Sequence, residues 1–370
     1  MADAGFWGDL ETPAALVDVD RMKANLRSAG EYCRQWEISY RPHAKTHKSA
    51  SLALEQLAVG AVGMTVATPT EAEVMARVAD DILLAYPPVG SAKLARLLSL
   101  PEGVRLTVAL DSFEALRALA QEAHNRGRSV GILIEVDVGL ARVGVRTVEE
   151  TLMLATEAAD TAGVSYQGIL MYPGHIRTPA SEQAPAIQAL SAKLDTLLGS
   201  LSEAGLPPET VSGGSTPTLF RSHLMAGVTE VRPGTSIFND RTTALLDACD
   251  WTDCAYSVLT TVVSTSIPGQ IVVDAGSKAL AKEEVRATLR ETAQARGFGC
   301  VLDQPELRVT ALSDEHGVID IRNSSWRPRI GDLVRIVPNH VCVSVNLNQR
   351  LWQVQGEQVL GFWSVEARRG

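Results

Sequence analysis

From about residue 14 to about residue 240, short apolar, often β-branched runs alternate with stretches whose apolar positions recur every three or four residues. Strands are expected at 38–41, 62–67, 82–86, 105–109, 131–138, 168–172, 210–212 and 230–232. The intervening stretches read as helices. Asp20 suits an N-cap, and after it Met22, Leu26, Ala29, Cys33 and Trp36 fall on one helical face. Phe113, Leu116, Leu119 and Ala123 repeat that spacing, with Gly127 as the stop. Eight strands separated by helices require parallel crossovers. The expected fold class is therefore α/β, with a (β/α)8 TIM-like barrel over residues 14–250.

Past residue 250 the pattern changes. Strand-like runs at 257–266, 271–275, 307–311, 318–322, 333–338 and 351–354 are joined by turn dipeptides such as Pro268-Gly269 and Gly331-Asp332. Residues 282–295 alone read as helix, so 251–370 is expected to be a C-terminal all-β domain. The 370-residue length suits a barrel plus a smaller domain, and 45% hydrophobic residues can fill both cores. A net charge of -9 argues against nucleic acid as a partner. No basic start leads into an apolar run and no long uncharged apolar stretch occurs, so neither a signal peptide nor a membrane span is expected. The cysteines Cys33, Cys249, Cys254, Cys300 and Cys342 are odd in number and scattered, which suits a reduced, cytoplasmic protein.

A barrel's chemistry gathers at the C-terminal ends of its strands. The first strand runs into Arg41-Pro42-His43-Ala44-Lys45-Thr46-His47-Lys48. Neighbouring positive charges disfavour a further ammonium, so Lys45 is the candidate for a part-time neutral amine able to form an imine with an aldehyde. The seventh and eighth strands end in Gly213-Gly214-Ser215-Thr216 and Arg232-Pro233-Gly234-Thr235. Loops at these two positions often hold a phosphate on backbone amides and hydroxyls. A phosphate grip opposite an imine-forming lysine points to pyridoxal 5'-phosphate.

The motifs from Arg41 to Lys48, Val136 to Arg142, Val273 to Lys278, Ser313 to Gly317 and Pro338 to Cys342 together resemble the fold-type III pyridoxal phosphate enzymes. Within these the chain is similar to the D-threonine aldolase and D-serine dehydratase group, relatives of alanine racemase, over nearly its whole length. The resemblance implies that Lys45 carries the cofactor and that Arg232 stands at its ring nitrogen, where a permanent cation opposes ring protonation. It also implies that residues 1–13 return to the β domain and that two chains form a head-to-tail homodimer. Arg142 and Tyr172 are further cofactor candidates, Tyr172 by stacking or hydrogen bonding. His47 and His175, both at expected strand ends, are candidate general bases.

His340 and Cys342 lie two apart in a strand-like segment, which would turn both side chains to one side. An imidazole and a thiolate suit a divalent ion (Zn, Mn, Mg or Co), and the resemblance implies a ligand pair in this stretch. Such a cation would act as a Lewis acid on a substrate hydroxyl. The expected activity is lysis of D-3-hydroxy-α-amino acids, first as retro-aldol cleavage to glycine and an aldehyde. Dehydration to a keto acid and ammonia is the alternative, and racemisation a lesser one. The resembling aldolases tend to carry aspartate where this chain has Cys342, and a histidine near Thr178; His-x-Cys is more like the dehydratases. A cofactor carrier without turnover and a metal hydrolase without the vitamin are the rivals from other classes. Lys278 and His316 are left without a role.

Overall fold

The computed structural model describes residues 5–285 and 296–368. In chain order the strands are β1 (Ala14–Asp18), β2 (Ser39–Tyr40), β3 (Met64–Val66), β4 (Asp81–Leu84), β5 (Arg105–Leu110), β6 (Val130–Val136), β7 (Val164–Met171), β8 (Thr210–Gly213) and β9 (Glu230–Val231). They continue with β10 (Tyr256–Ser264), β11 (Gln270–Val273), β12 (Gly299–Val301), β13 (Gln304–Leu312), β14 (Gly317–Asp320), β15 (Leu333–Pro338), β16 (Arg350–Gln355) and β17 (Gln358–Ser364). The chain forms two compact units. One comprises Ser28–Gly234 with Ala367–Gly370, the other Met1–Arg27 with Thr235–Glu366.

In the first unit β2 to β9 make one parallel sheet, ordered β2-β9-β8-β7-β6-β5-β4-β3. Bridges Tyr40–Ala61 and His43–Thr65 join its two ends, which closes the barrel. Its helices start where the sequence caps them. Thr68 accepts from the Glu71 amide at 3.1 Å ahead of Pro69–Met75, and Thr147 exchanges bonds with Glu150 ahead of Val148–Asp160. Period-two alternation then sorts the strand residues. Ile82, Leu84, Val108, Leu110, Ile132 and Ile134 join the large core shared with the helices, whereas Leu83, Ala109, Leu133 and Leu170 form a separate cluster within the barrel. By the same alternation Asp111, Glu135 and Tyr172, each two residues further on, point inward at the C-terminal ends of β5, β6 and β7.

The second unit is a nine-stranded sheet ordered β11-β14-β13-β12-β15-β10-β1-β16-β17, with β10 also paired to β11. That extra pairing closes six of its strands into a ring, and β1, β16 and β17 extend from β10. Strand β1 pairs antiparallel with β10 and parallel with β16. The sequence reading did not foresee β1, β12 or β17.

Two local expectations are corrected. The first helix begins at Val19 rather than after Asp20, because Asp18 accepts the Arg21 amide at 3.0 Å; Asp20 instead accepts from Gln355. Trp36 lies past the helix end and is exposed, while Met22, Leu26, Ala29 and Cys33 are buried as expected. Of the helix expected over 282–295, residues 286–295 lie outside the described residues, and 282–285 are not helical. Among the described residues, no helix is long and apolar enough to cross a membrane.

Candidate active site and metal pair

Lys45 stands in a short 3-10 turn, Ala44–Thr46, directly after β2. Its backbone amide donates to His43 Nδ1 at 3.4 Å, and the turn closes on itself through the His47 amide to the Ala44 carbonyl. From Pro42 to Ser49 every residue is buried except Lys45. The lysine side chain is thus the one group that this tightly packed segment offers to solvent.

The cations around it differ from the crowded cluster read from the sequence. Lys48 Nζ pairs with Glu71 at 2.5 Å, and Arg41 reaches Glu230 and Asp81, both at 2.6 Å. Burial, then the charges of Lys45, Arg232 and Lys48, push the His43 imidazole well below its ordinary range. His47 is fully buried. Its Nε2 lies 3.1 Å from Gln56 Oε1, its Nδ1 accepts the Ser49 amide, and burial drives its pKa down to about 4. Both ring nitrogens are committed to the fold, so the general-base expectation for His47 is withdrawn.

The loops after β8 and β9 meet this turn within the same unit. The Pro233 carbonyl accepts from the His43 amide at 3.0 Å, and a Cβ on Gly234 would come 2.7 Å from Thr46 Oγ1, so only glycine lets the two segments touch. Gly213 ends β8 and Gly214 follows it. Gly214 takes a left-handed φ of 79°, which turns the chain into the 3-10 helix Thr216–Leu224. Ser215 and Thr216 are buried at the start of that helix, where aligned amides favour an anion. In the chain alone Ser215 is tied to Thr218, its amide at 3.2 Å and its hydroxyl at 3.0 Å from Thr218 Oγ1. Thr235 opens the other unit, and its hydroxyl lies 3.8 Å from Cys342 Sγ.

Arg232 is buried, with Nη1 donating to Ser212 Oγ at 2.5 Å and Nη2 to the Met171 carbonyl at 2.9 Å. Ser212 in turn donates to Glu230 Oε1 at 2.5 Å. A continuous chain therefore runs Asp81, Arg41, Glu230, Ser212, Arg232 across β4, β2, β9 and β8. Burial lowers the Arg232 pKa to about 10, held up by Glu230 and Glu135, so it stays a cation at neutral pH. Glu135 is 4% exposed and its Oε2 is buried without a hydrogen-bond partner; burial raises its pKa to about 7 against the pull of Arg232 and Arg142.

The loop after β6 gathers the remaining candidates. Asp137 Oδ1 accepts the Gly139 and Ala141 amides at 3.0 Å each, and Asp111 Oδ2 accepts that of Gly144 at 2.9 Å. So anchored, the loop carries the Arg142 guanidinium 5.1 Å from the Tyr172 ring centre. It also lays Gly139 along His175, whose ring would be 3.3 Å from a Cβ placed there. His175 is exposed, its pKa lowered by partial burial and Lys193 against Asp137. An imidazole neutral near pH 7 with open access keeps His175 as the candidate base.

In the other unit the strand reading of His340 and Cys342 is corrected. Strand β15 stops at Pro338, His340 precedes the helix Val341–Leu347, and Cys342 sits in its first turn. The two side chains interact at this helix start rather than by strand alternation. Burial lowers the His340 pKa, but Cys342 and Asp240 outweigh it and the net shift is well upward. Among the described residues no group of three or more His, Cys, Asp or Glu converges as metal ligands. A divalent ion here would have two protein ligands and several open positions. Lys278 pairs with Glu315 at 2.7 Å, and the His316 carbonyl accepts the Ser313 amide at 3.0 Å.

The residues present fit a pyridoxal phosphate: an accessible amine, a buried guanidinium and a helix start suited to an anion. Soft and borderline donors at His340 and Cys342 fit a divalent metal. The sequence reading missed Asp111, Glu135, Ser212, Glu230 and Asp240. A lone acid within the apolar run of β6 was a signal for Glu135; the others carried none.

Known proteins match in the same two parts. Residues 17–242 match "Alanine racemase, N-terminal domain", and residues 255–354 match "Putative serine dehydratase domain". A D-threonine aldolase from Arthrobacter sp. is 31% identical over 97% of this chain and 93% of the relative. A D-threo-3-hydroxyaspartate dehydratase from Delftia sp. is 34% identical over 90% of this chain and 92% of its own. Among solved structures, a cysteine-to-alanine mutant of D-threo-3-hydroxyaspartate dehydratase in the metal-free form superposes with a TM-score of 0.88 at 28% identity. It covers 99% of this chain and 100% of that one.

Proposed function

Because the chain belongs to the alanine racemase-like, fold-type III pyridoxal phosphate lyases that act on D-hydroxy amino acids, we propose that it dehydrates D-3-hydroxy-α-amino acids to a keto acid and ammonia with a divalent metal. The observation that carries this reading is the interacting His340–Cys342 pair. A cysteine-to-alanine mutant of the superposed dehydratase is described in a metal-free form. This reverses the order expected from the sequence, in which retro-aldol cleavage stood first. Cleavage remains the second reading, favoured by the full-length match to a D-threonine aldolase.

Pyridoxal phosphate supplies an electron sink for bonds at the substrate Cα, and the metal a Lewis acid for its 3-hydroxyl. The chain's own groups supply the rest. With the cofactor bound, Lys45 Nζ would hold its aldehyde and move the Cα proton. Arg232 would serve the ring nitrogen and, being a cation, oppose its protonation. Backbone amides and hydroxyls of Gly213, Gly214, Ser215 and Thr216, with the backbone amides of Gly234 and Thr235, would bind the phosphate. Arg142 and Tyr172 position the cofactor ring. His175 Nε2 handles a proton at the substrate's β-substituent, and His340 and Cys342 hold the metal. The same reading makes the working form a head-to-tail homodimer in the cytoplasm.

The test is a panel of D-serine, D-threo-3-hydroxyaspartate and D-threonine, with ammonia, keto acid, glycine and aldehyde all measured. Keto acid and ammonia in equal amounts, lost on chelation, support dehydration. Glycine with an aldehyde moves the assignment to cleavage, and an L-isomer alone to racemisation. Lys45→Ala should lose both activity and the yellow colour; a yellow Lys45→Ala protein refutes the cofactor assignment.

A further inference from the structure

Asp240 is 1% exposed and performs two tasks with its two oxygens. Oδ1 caps the helix Arg241–Leu245, accepting from the Thr243 amide at 2.9 Å and hydroxyl at 3.1 Å. Oδ2 accepts the Val341 amide at 3.1 Å and lies 3.5 Å from His340 Nδ1. The segment bearing the metal pair is clamped to the same helix elsewhere. Thr242 Oγ1 donates to the Asn339 carbonyl at 2.6 Å, and Arg241 Nη1 to Asn339 Oδ1 at 2.7 Å. Beside Cys342 stands Thr235, its hydroxyl 3.8 Å from the sulfur, within hydrogen-bond reach for that larger atom.

A carboxylate on one ring nitrogen of histidine keeps the proton there and turns the other lone pair outward. A hydroxyl donated to sulfur stabilises the thiolate that a metal needs. We propose that Asp240 and Thr235 are positioning residues for the metal: Asp240 sets the tautomer and ring orientation of His340, leaving Nε2 as the ligand, and Thr235 holds the Cys342 thiolate by donating to it. This rests on the reading of His340 and Cys342 as the metal pair. It also gives the Thr235 hydroxyl a task distinct from the phosphate contact expected of that loop, for which its backbone amide suffices.

The experiment is done on the full-length holoenzyme, stripped with a chelator and titrated calorimetrically with Zn²⁺. Asp240→Asn keeps Oδ1 for the helix cap but offers His340 an amide in place of Oδ2, and should weaken the metal about 10–100-fold. Asp240→Ser, which also retains a cap, should do the same and stands in if the first variant folds poorly. Thr243→Ala removes the cap's hydroxyl bonds and the Cys249 contact but leaves Asp240 Oδ2 beside His340, and should leave metal affinity unchanged. With Co²⁺ in place of Zn²⁺, Thr235→Val should move the thiolate-to-metal charge-transfer band to longer wavelength, because a sulfur without its donor gives up electrons more easily. Wild-type affinity in both Asp240 variants together with an unmoved cobalt band overturns the proposal, as does a loss in Thr243→Ala equal to that in Asp240→Asn. If wild type itself takes up no metal, or His340→Ala and Cys342→Ala bind as it does, the underlying metal reading fails instead.

Discussion

Glu135→Gln offers a test of the barrel's electrostatics that needs no substrate. The carboxyl is 4% exposed, has one orphaned oxygen, and is shifted from its ordinary 4.5 up to about 7. At about 1.4 kcal/mol per pH unit, a rise of roughly 2.5 makes the ionised form about 3 kcal/mol less favourable in the fold than in the unfolded chain. Below pH 4.5 both states hold the proton and nothing is lost. Between pH 4.5 and 7 the unfolded chain releases its proton while the folded one keeps it, so stability falls as pH rises. Above pH 7 the loss is complete. Glutamine has no such proton, so its advantage over the wild type should grow by about 3 kcal/mol across this window and then level off. His47, with its pKa depressed to about 4, contributes stability that is lost as pH falls, but equally in both proteins, and so cancels. Hydrogen exchange of the β6 amides in cofactor-stripped protein, corrected for the intrinsic exchange rate, reads the opening free energy of the barrel itself. An infrared protonated-carboxyl band present at pH 5.5 in the wild type alone would identify the group. A difference that stays flat from pH 4.5 to 8 refutes the reasoning.

Arg41→Met should destabilise the barrel by about 3–5 kcal/mol, because it strands the buried Glu230 carboxylate without its ion-pair partner, whereas the partly buried Asp81 keeps Arg105. Urea unfolding measures this, and a loss under about 1 kcal/mol would show that the charges find other partners. Light scattering of the purified protein should give twice the 39.6 kDa chain mass; a single-chain mass at working concentration removes the homodimer.

The barrel was legible because strand and helix periodicities differ, and all eight parallel strands were anticipated within a few residues. What escaped was local competition. Residues 339–342 look like a strand continuing, yet the carboxylate of Asp240 takes the Val341 amide and starts a helix there. That carboxylate lies 101 residues away in sequence, and no local pattern announces it. Strand β1 was missed because Ala14–Asp18 runs straight into a helix and pairs with segments near residues 256 and 352.

The candidate site divides along the same line. Lys45, Arg232 and the glycine loops could be nominated because each follows a strand of the barrel, so position along the chain equals position at the barrel end. His47 met that criterion and still failed, since strand ends supply packing residues as well as reactive ones, and only its two occupied nitrogens tell them apart. The ion chain lies beyond sequence for a different reason. Arg41 finds one carboxylate 40 residues on and the other 189 residues on, because a closed barrel makes neighbours of its first and last strands. Strands β4 to β7 face inward with Leu83, Ala109, Leu133 and Leu170, whereas β2, β8 and β9 face inward with Arg41, Ser212, Glu230 and Arg232. A buried cation in such an interior persists only if each charge is answered by an opposite one. The polar half of the barrel thereby holds Arg232 in place before any cofactor arrives, whereas Glu135, on β6 with β7 between it and β8, keeps one carboxylate oxygen buried without a hydrogen bond.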